Sequence, residues 1–322
     1  MKAVVYTKYG SPDVLECKDI DKPIPKANEV LVKVFATTVN RTDSGLLRAK
    51  PFVIRFITGL VKPKRQILGT VFAGTIEAIG NELSDFNIGD RIFGLNDEGL
   101  CAHAEYLCIS PKDAIAIIPQ NTSFEQAAAS LEGAHYAYNF INKVNIKQGD
   151  AILVNGATGA IGSAMVSLLK SYDVTITAVC DGTYSDMIKS LGVNKIVDFT
   201  KDDFTQSNEK YDYVFDAVGK SSFSKCKPLL KKNGIYMSSE LGAGNENIYL
   251  PLITFWKNKK VKFPFPLNRL KTVLLIQKLF EEGKFTALID SEFSLEQIPE
   301  AYLYVEKGQK IGNVIIKVAG EF

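Results

Sequence analysis

Gly156, Gly159 and Gly162 recur at every third position of LVNGATGAIGSA, residues 153–164. The apolar AILV before them reads as a strand buried on both faces. AIGSAMVSLLKS after them has helical periodicity. Small residues at a strand-to-helix turn let backbone approach a pyrophosphate, and the N–H groups that open the helix bind the anion. The pattern is Ala157-x-Gly159-x-x-Gly162, with Gly156 in front and Thr158, Ala160 and Ile161 completing the turn. Alanine therefore stands in the first glycine position of the dinucleotide fingerprint. An ordinary tight βα turn also uses glycine, but the strand before, the helix after and the alternation that follows favour a cofactor cradle. Asp181 closes the next strand pattern, VTITAVC, and 181 − 162 = 19 is close to the roughly 20 residues expected for a ribose-binding carboxylate. Such a carboxylate accepts hydrogen bonds from the ribose diol and repels a 2′-phosphate. The alternative for Asp181 is a solvated loop aspartate ahead of Gly182.

The chain has two histidines, His103 and His135. His135 lies in SLEGAHYAY beside Tyr136, and either could donate a proton or hydrogen bond to a carbonyl oxygen. Against that, Glu132 and His135 are spaced i, i+3 and can form a helix-face pair that only packs or caps. His103 reads as structural. The stretch LLRAKPFVIRFITGLVKPKRQ carries six basic residues and no acidic one, interleaved with aromatics. A nucleic-acid or membrane-surface patch fits that composition, but with a net charge of +2 the preferred reading is a substrate-mouth loop that draws in anionic ligands. WKNKKVKF at 256–263 is read the same way. Neither a nucleic acid nor a membrane is expected as a partner.

These residues need a scaffold, and 322 residues suggest two domains. The first part is β-rich: AVVY, EVLVKVFATTV, VFAGTIEAIG, DRIFGL and AEYLCIS are short β-branched or aromatic runs broken by Gly, Pro, Asn and Asp. The texture changes at NTSFEQAAAS, where Asn121 or Thr122 can cap a helix with Glu125 in its first turn. From Ala151, strands and helical patterns alternate through VTITAV, DMIKSLG, KIVDF, YDYVFDAVG, KCKPLLKKNG and GIYMSS, which implies a parallel sheet. LKTVLLIQKLFEEG and NVIIKV then supply one more helix and strand, expected to return to the first domain because alone they cannot bury their apolar faces. The five cysteines are scattered without a CxxC pair, which suits reduced thiols in a cytoplasmic protein.

In this order of elements the chain resembles the medium-chain dehydrogenase/reductase superfamily, and within it the zinc-free quinone oxidoreductase branch. The resemblance rests on VNRTD at 39–43, GDRIFG at 89–94, AHAEY at 102–106, NGATGAIG at 155–162, FDAVG at 215–219 and IGNVIIKV at 311–318. It implies an α/β chain with a GroES-like β-rich catalytic domain over 1–122, completed by 268–322. The remainder, 123–267, would be a Rossmann domain with a doubly wound parallel sheet. It places Asn40 beside the nicotinamide, Arg41 near the pyrophosphate and Thr42 at the substrate; the competing reading is a helix start capped by Thr42 or Asp43. Ala217, Val218 and Gly219, with Leu241 and Gly242, end later sheet strands where ligands bind, and Phe263 and Phe265 match the segment that meets the carboxamide. Zinc-dependent relatives carry cysteine where this chain has Asn40 and a His-Glu pair where it has Thr70 and Val71, so no metal is expected. Relatives often hold a 2′-phosphate with Ser and Arg where this chain has Asp181 and Thr183, so NADH is favoured over NADPH. The activity implied is NAD(P)H-dependent reduction of a quinone, enone or reactive aldehyde, with a homodimer formed through a Rossmann edge strand. Two other functions compete: a 2-enoyl-thioester reductase with Tyr136 as donor, and a non-catalytic redox-sensing or RNA-associated protein.

Overall fold

The computed structural model describes residues 1–97 and 99–318, which divide into two units: Met1–Glu132 with the segment from Asn268 onward, and Gly133–Leu267. In the first unit β1 (Lys2–Val5) pairs antiparallel with β2 (Glu16–Asp19). β3 (Val30–Val39) leads into α1 (Arg41–Arg48) and a single turn, α2 (Arg55–Thr58). β4 (Val71–Ile79), β5 (Arg91–Leu95), β6 (Tyr106–Ile109) and β7 (Ala114–Ile117) follow, then α3 (Phe124–Ala129). α3 is capped by Ser123, whose side chain accepts from the Gln126 N–H, and not by Asn121 or Thr122. Phe124 stacks on Phe35 of β3 at 4.6 Å, which ties this helix to the β-rich unit and carries that unit on to Glu132. The helix α4 (Leu131–Asn142) begins there.

The second unit is built on β8 (Ala151–Asn155), α5 (Ala160–Leu169), β9 (Thr175–Cys180), α6 (Ser185–Ser190), β10 (Lys195–Asp198) and β11 (Tyr211–Asp216). It ends with α7 (Phe223–Cys226), β12 (Leu230–Ser238), α8 (Glu246–Thr254) and β13 (Lys260–Val261). The strands form one parallel sheet in the order β10-β9-β8-β11-β12-β13. That is the doubly wound order whose direction reverses between its first and fourth strands, here β8 and β11. The alternation over 225–234 is divided differently from the helical pattern expected. Pro228 has no N–H to continue the α7 hydrogen-bond ladder, so α7 passes into a short turn over Lys227–Leu229 and β12 already begins at Leu230.

The chain then returns to the first unit as α9 (Arg269–Glu281), β14 (Ile289–Ser294), α10 (Ile298–Glu306) and β15 (Asn313–Lys317). β15 joins the seven-stranded sheet between β14 and β3, so residues distant in sequence close that sheet. Its Val314 and Ile316 share a buried cluster with Val39, Leu47, Leu68 and Tyr302. Among the described residues no helix is long and apolar enough to cross a membrane.

Candidate functional site

The glycine turn lies at the carboxyl end of β8, at the point where the sheet order reverses. Gly156 has φ 80°, and the N–H groups of Gly156 and Ala157 both donate to the Val179 carbonyl of β9 at 3.1 Å. Gly159 caps α5 with no side chain to bond the first turn, so Ala160 and Ile161 open the helix with their N–H groups unclaimed by a cap. Thr158 sits half-buried inside the turn. A Cβ on Gly162 would lie 2.2 Å from the Gly156 carbonyl oxygen, and one on Gly156 would lie 2.8 Å from the Val218 Cβ. The close approach that a pyrophosphate needs is thus built into backbone, and the cradle fits a dinucleotide.

Two residues that complete the cradle were not singled out in the sequence. Asp216, fully buried at the end of β11, accepts from the Asn155 side chain at 2.9 Å, the Gly219 and Ser221 N–H groups at 2.9 Å and the Tyr236 hydroxyl at 3.2 Å. Those bonds fix Ala217, Val218 and Gly219 beside the glycine turn. A carboxylate in the otherwise apolar strand end VFDAVG was the available signal. Gly133 is the second: a Cβ there would sit 2.4 Å from the Ala160 carbonyl oxygen. α4 therefore packs on the start of α5, which brings the helix carrying His135 and Tyr136 alongside the cradle. His135 is buried against Asn139: the Asn139 amide donates to the His135 carbonyl at 2.7 Å, and its oxygen accepts from the Leu267 N–H at 3.1 Å. That pairing ties α4 to the segment of Phe263 and Phe265, whose rings meet edge to face at 4.8 Å. Leu241 and Gly242 lie in the loop after β12, which ends at Ser238, with Gly242 at φ 75° and the Leu241 carbonyl accepting from Asn247 N–H at 3.0 Å.

Asp181 follows β9 directly, and its carboxylate accepts from the Thr183 N–H at 2.9 Å, which caps a short turn. A second acid stands beside it: a Cβ on Gly182 would lie 2.1 Å from the Asp198 carboxylate at the end of β10. Hydrogen bonds from the Thr200 hydroxyl and N–H hold the Asp198 carboxyl down at about 2.

In the first unit, the helix start at VNRTD is capped by Asn40, where the competing reading has Thr42 or Asp43. The Asn40 side chain accepts from the Asp43 N–H at 2.9 Å and the Asp43 carboxylate accepts from the Asn40 N–H at 3.1 Å, a reciprocal capping box. The Asn40 amide also donates to the Thr70 hydroxyl at 2.8 Å. Arg41 is exposed, whereas Thr42 donates its hydroxyl proton to Glu132 at 3.1 Å. Burial and the neighbouring Glu132 charge push the Asp43 carboxyl well above the usual carboxylate range. Burial lowers Lys310, against the pull of Glu132 and Asp290 that raises it. Thr42, Glu132, Asp43 and Lys310 are thereby one polar group in a buried setting. His103 is buried and donates from Nε2 to the Thr38 carbonyl at 2.9 Å, a structural place.

A zinc ion does not fit the positions where related chains hold one. Asn40 spends both side-chain atoms on the cap and on Thr70, and Val71 has no donor at all. Among the described residues no three His, Cys, Asp or Glu side chains converge as metal ligands.

Residues 26–131 match the alcohol dehydrogenase GroES-like domain, and residues 191–316 match the family described as zinc-binding dehydrogenase. A 2-methylene-furan-3-one reductase of Solanum lycopersicum is 29% identical over 98% of this chain and 79% of its own length. A chloroplastic quinone oxidoreductase of Triphysaria versicolor is 28% identical, covering 98% of both chains. Among solved structures, the quinone oxidoreductase from Coxiella burnetii superposes with a TM-score of 0.88 at 26% identity over 99% of each chain. The chain belongs to the medium-chain dehydrogenase/reductase superfamily. Within that superfamily its similarity is to quinone oxidoreductase-like members.

Proposed function

We propose that this protein is an NAD(P)H-dependent oxidoreductase that reduces quinones or activated carbonyl compounds, α,β-unsaturated or otherwise reactive, without zinc. The observation that carries this is the cradle at Gly156–Gly162, where a single added methyl at Gly162 would meet backbone oxygen at 2.2 Å. When bound, NAD(P)H supplies a hydride from nicotinamide C4. The start of α5 would bind the pyrophosphate. Asp181 would accept from the adenosine ribose diol, with Asp198 adding negative charge where a 2′-phosphate would lie, so NADH is the preferred cofactor. The Asp216-bound loop at Ala217–Gly219, Leu241–Gly242, and the Phe263 and Phe265 segment would line the remaining length of the dinucleotide.

Thr42 is the proposed donor to the substrate oxygen, its one hydroxyl proton turning from Glu132 to the substrate when that binds, and Asn40 sets the backbone that carries it. Without a Lewis acid, hydrogen bonds and orientation must supply the stabilisation, which suits electron-poor acceptors better than simple alcohols. Tyr136 is the donor if the substrate is instead a 2-enoyl thioester, a reading supported by the packing of α4 on α5 at Gly133; His135, on the same helix, is placed with it. The edge strand β13, with exposed Phe255 and Trp256 just before it, is the proposed homodimer contact. The test is competition between benzoquinone and an enoyl thioester with NADH as reductant. Faster turnover of the quinone, strongly lowered in Thr42→Val but retained in Tyr136→Phe, supports the main reading; the reverse pattern replaces it with the thioester.

A further inference from the structure

Residues 48–65 hold apolar side chains outward on a segment that the fold fixes by its backbone. Phe56, Ile57 and Val61 are 67%, 80% and 88% exposed, and Phe52, Val53 and Leu60 are exposed beside them. This is not a loop that failed to pack. The Tyr9 hydroxyl donates to the Gly59 carbonyl at 2.8 Å and lies 2.8 Å from the Thr58 hydroxyl, while the Lys64 N–H donates to the Thr58 carbonyl at 2.8 Å. Gly59 has φ 125°, and a Cβ there would lie 2.1 Å from the Lys62 carbonyl oxygen, so the turn is tight. The Arg55 guanidinium stacks over Tyr9 at 4.9 Å and over Phe52 at 5.4 Å. The anchored side of the segment is therefore polar, and its free side is aromatic and aliphatic.

Charge decides what such a face fits. The segment has six basic residues and no acid. Arg48 is spent on a two-point ion pair with Glu306, at 2.6 Å for each bond, and Arg55 on the ring stacking. Lys50, Lys62, Lys64 and Arg65 are exposed around the apolar residues. A polyanion without an apolar phase, such as RNA, would use the cations and leave six apolar side chains in water. An apolar protein face would bury the side chains and leave the cations uncompensated. An anionic lipid surface matches both, taking the rings and aliphatic chains into the acyl boundary while headgroup phosphates meet the lysines. An exposed apolar patch of this kind marks an interaction site.

We propose that the face formed by Phe52, Val53, Phe56, Ile57, Leu60 and Val61, ringed by Lys50, Lys62, Lys64 and Arg65, docks the protein peripherally on an anionic membrane surface. The inference stands apart from the proposed reaction. The substrate-mouth reading of this stretch accounts for the charge but leaves its outward apolar side chains unexplained.

The test uses the full chain with vesicles of phosphatidylcholine alone and of phosphatidylcholine mixed with phosphatidylglycerol, at low and high salt. Expected is co-sedimentation with the anionic vesicles only, reduced by salt and weakened about tenfold or more in Lys62→Glu/Lys64→Glu and in Phe56→Ser/Ile57→Ser. These side chains are exposed, and thermal unfolding checks that both variants keep the fold. Absence of partition onto anionic vesicles overturns the proposal, as does equal binding to both vesicle types or wild-type binding by the folded variants. Self-association dispersed by Phe56→Ser/Ile57→Ser without vesicle binding would make the face a contact between copies instead, and RNA binding lost in Lys62→Glu/Lys64→Glu without vesicle binding would make it a nucleic-acid site. Either result overturns the lipid assignment.

Discussion

Replacing Gly162 by alanine probes the cradle with one methyl group. That methyl would lie 2.2 Å from the Gly156 carbonyl oxygen and 2.8 Å from both the Gly156 carbonyl carbon and the Ala157 Cα. Ordinary carbon contacts are about 3.5–4.0 Å, so the clash exceeds what small adjustments absorb. All three atoms are backbone, and no rotamer change relieves them. The turn must open, and the Gly156 carbonyl is the acceptor for the Gly159 N–H at 3.1 Å, so the cap of α5 moves with it. Overpacking of this kind costs about 1–3 kcal/mol. Where that cost falls on the binding-competent turn, dinucleotide affinity drops by about five- to 150-fold. Fluorescence titration with NADH and NADPH measures the loss, and thermal unfolding checks the fold. Gly149→Ala is the control: Gly149 also has positive φ, 82°, but nothing lies within 4 Å of a Cβ there, so it strains the chain away from the cradle. If Gly162→Ala binds both dinucleotides as tightly as the wild type, the turn is not the pyrophosphate site and the reasoning fails.

Other perturbations separate the remaining roles. Asp181→Ser removes the carboxylate proposed to repel a 2′-phosphate; the wild type should prefer NADH and the variant should move towards NADPH in direct binding, and an unchanged or reversed wild-type preference contradicts the role. Thr42→Val should lower kcat/KM by about 100-fold, the scale of one lost donor to a developing oxyanion, and Glu132→Gln, which keeps an acceptor for the Thr42 hydroxyl, by less; steady-state kinetics on one quinone decides the order. Burial lowers the His103 imidazole from its ordinary 6.5 to about 4. An unfolded chain therefore takes up the proton that the folded one excludes. The stability is complete above about 6.5 and is lost as pH falls from there towards 4, by up to about 3 kcal/mol. His103→Gln, which can still donate to the Thr38 carbonyl, should flatten that part of a denaturant-midpoint profile against pH, and a slope identical to wild type would show that another group carries it.

What could be read in the sequence was what depends on a few adjacent residues. The strand-turn-helix at 151–169 is legible because the steric demand for small residues is local, and the strands at 30–39 and 71–79 are legible because β-branched runs have one dominant local preference. β2 was missed because all four of its residues are exposed, which erases alternation. The competing reading puts the cap of α1 on Thr42 or Asp43 because both, like Asn40, are good capping types. Only the geometry separates the residue that caps from the one that reciprocates. Glu132 meets Thr42 across 90 residues, and Asp216 collects its partners from β8, the loop after β11 and β12; neither arrangement leaves a pattern in any short window. The 48–65 stretch was legible as basic and aromatic, but which of its side chains face outward depends on Tyr9, far from it in sequence.

The central claim is hydride transfer from a nicotinamide cofactor to an electron-poor acceptor by this chain without a metal. Its most direct test is the rate of NADH oxidation by benzoquinone with enzyme exhaustively treated with chelator and shown to be metal-free. The account predicts steady turnover that added zinc does not raise, with a primary alcohol and NAD⁺ giving little. Loss of quinone turnover on chelation and its return with zinc, or no turnover with any quinone or enone despite tight NADH binding, would contradict it.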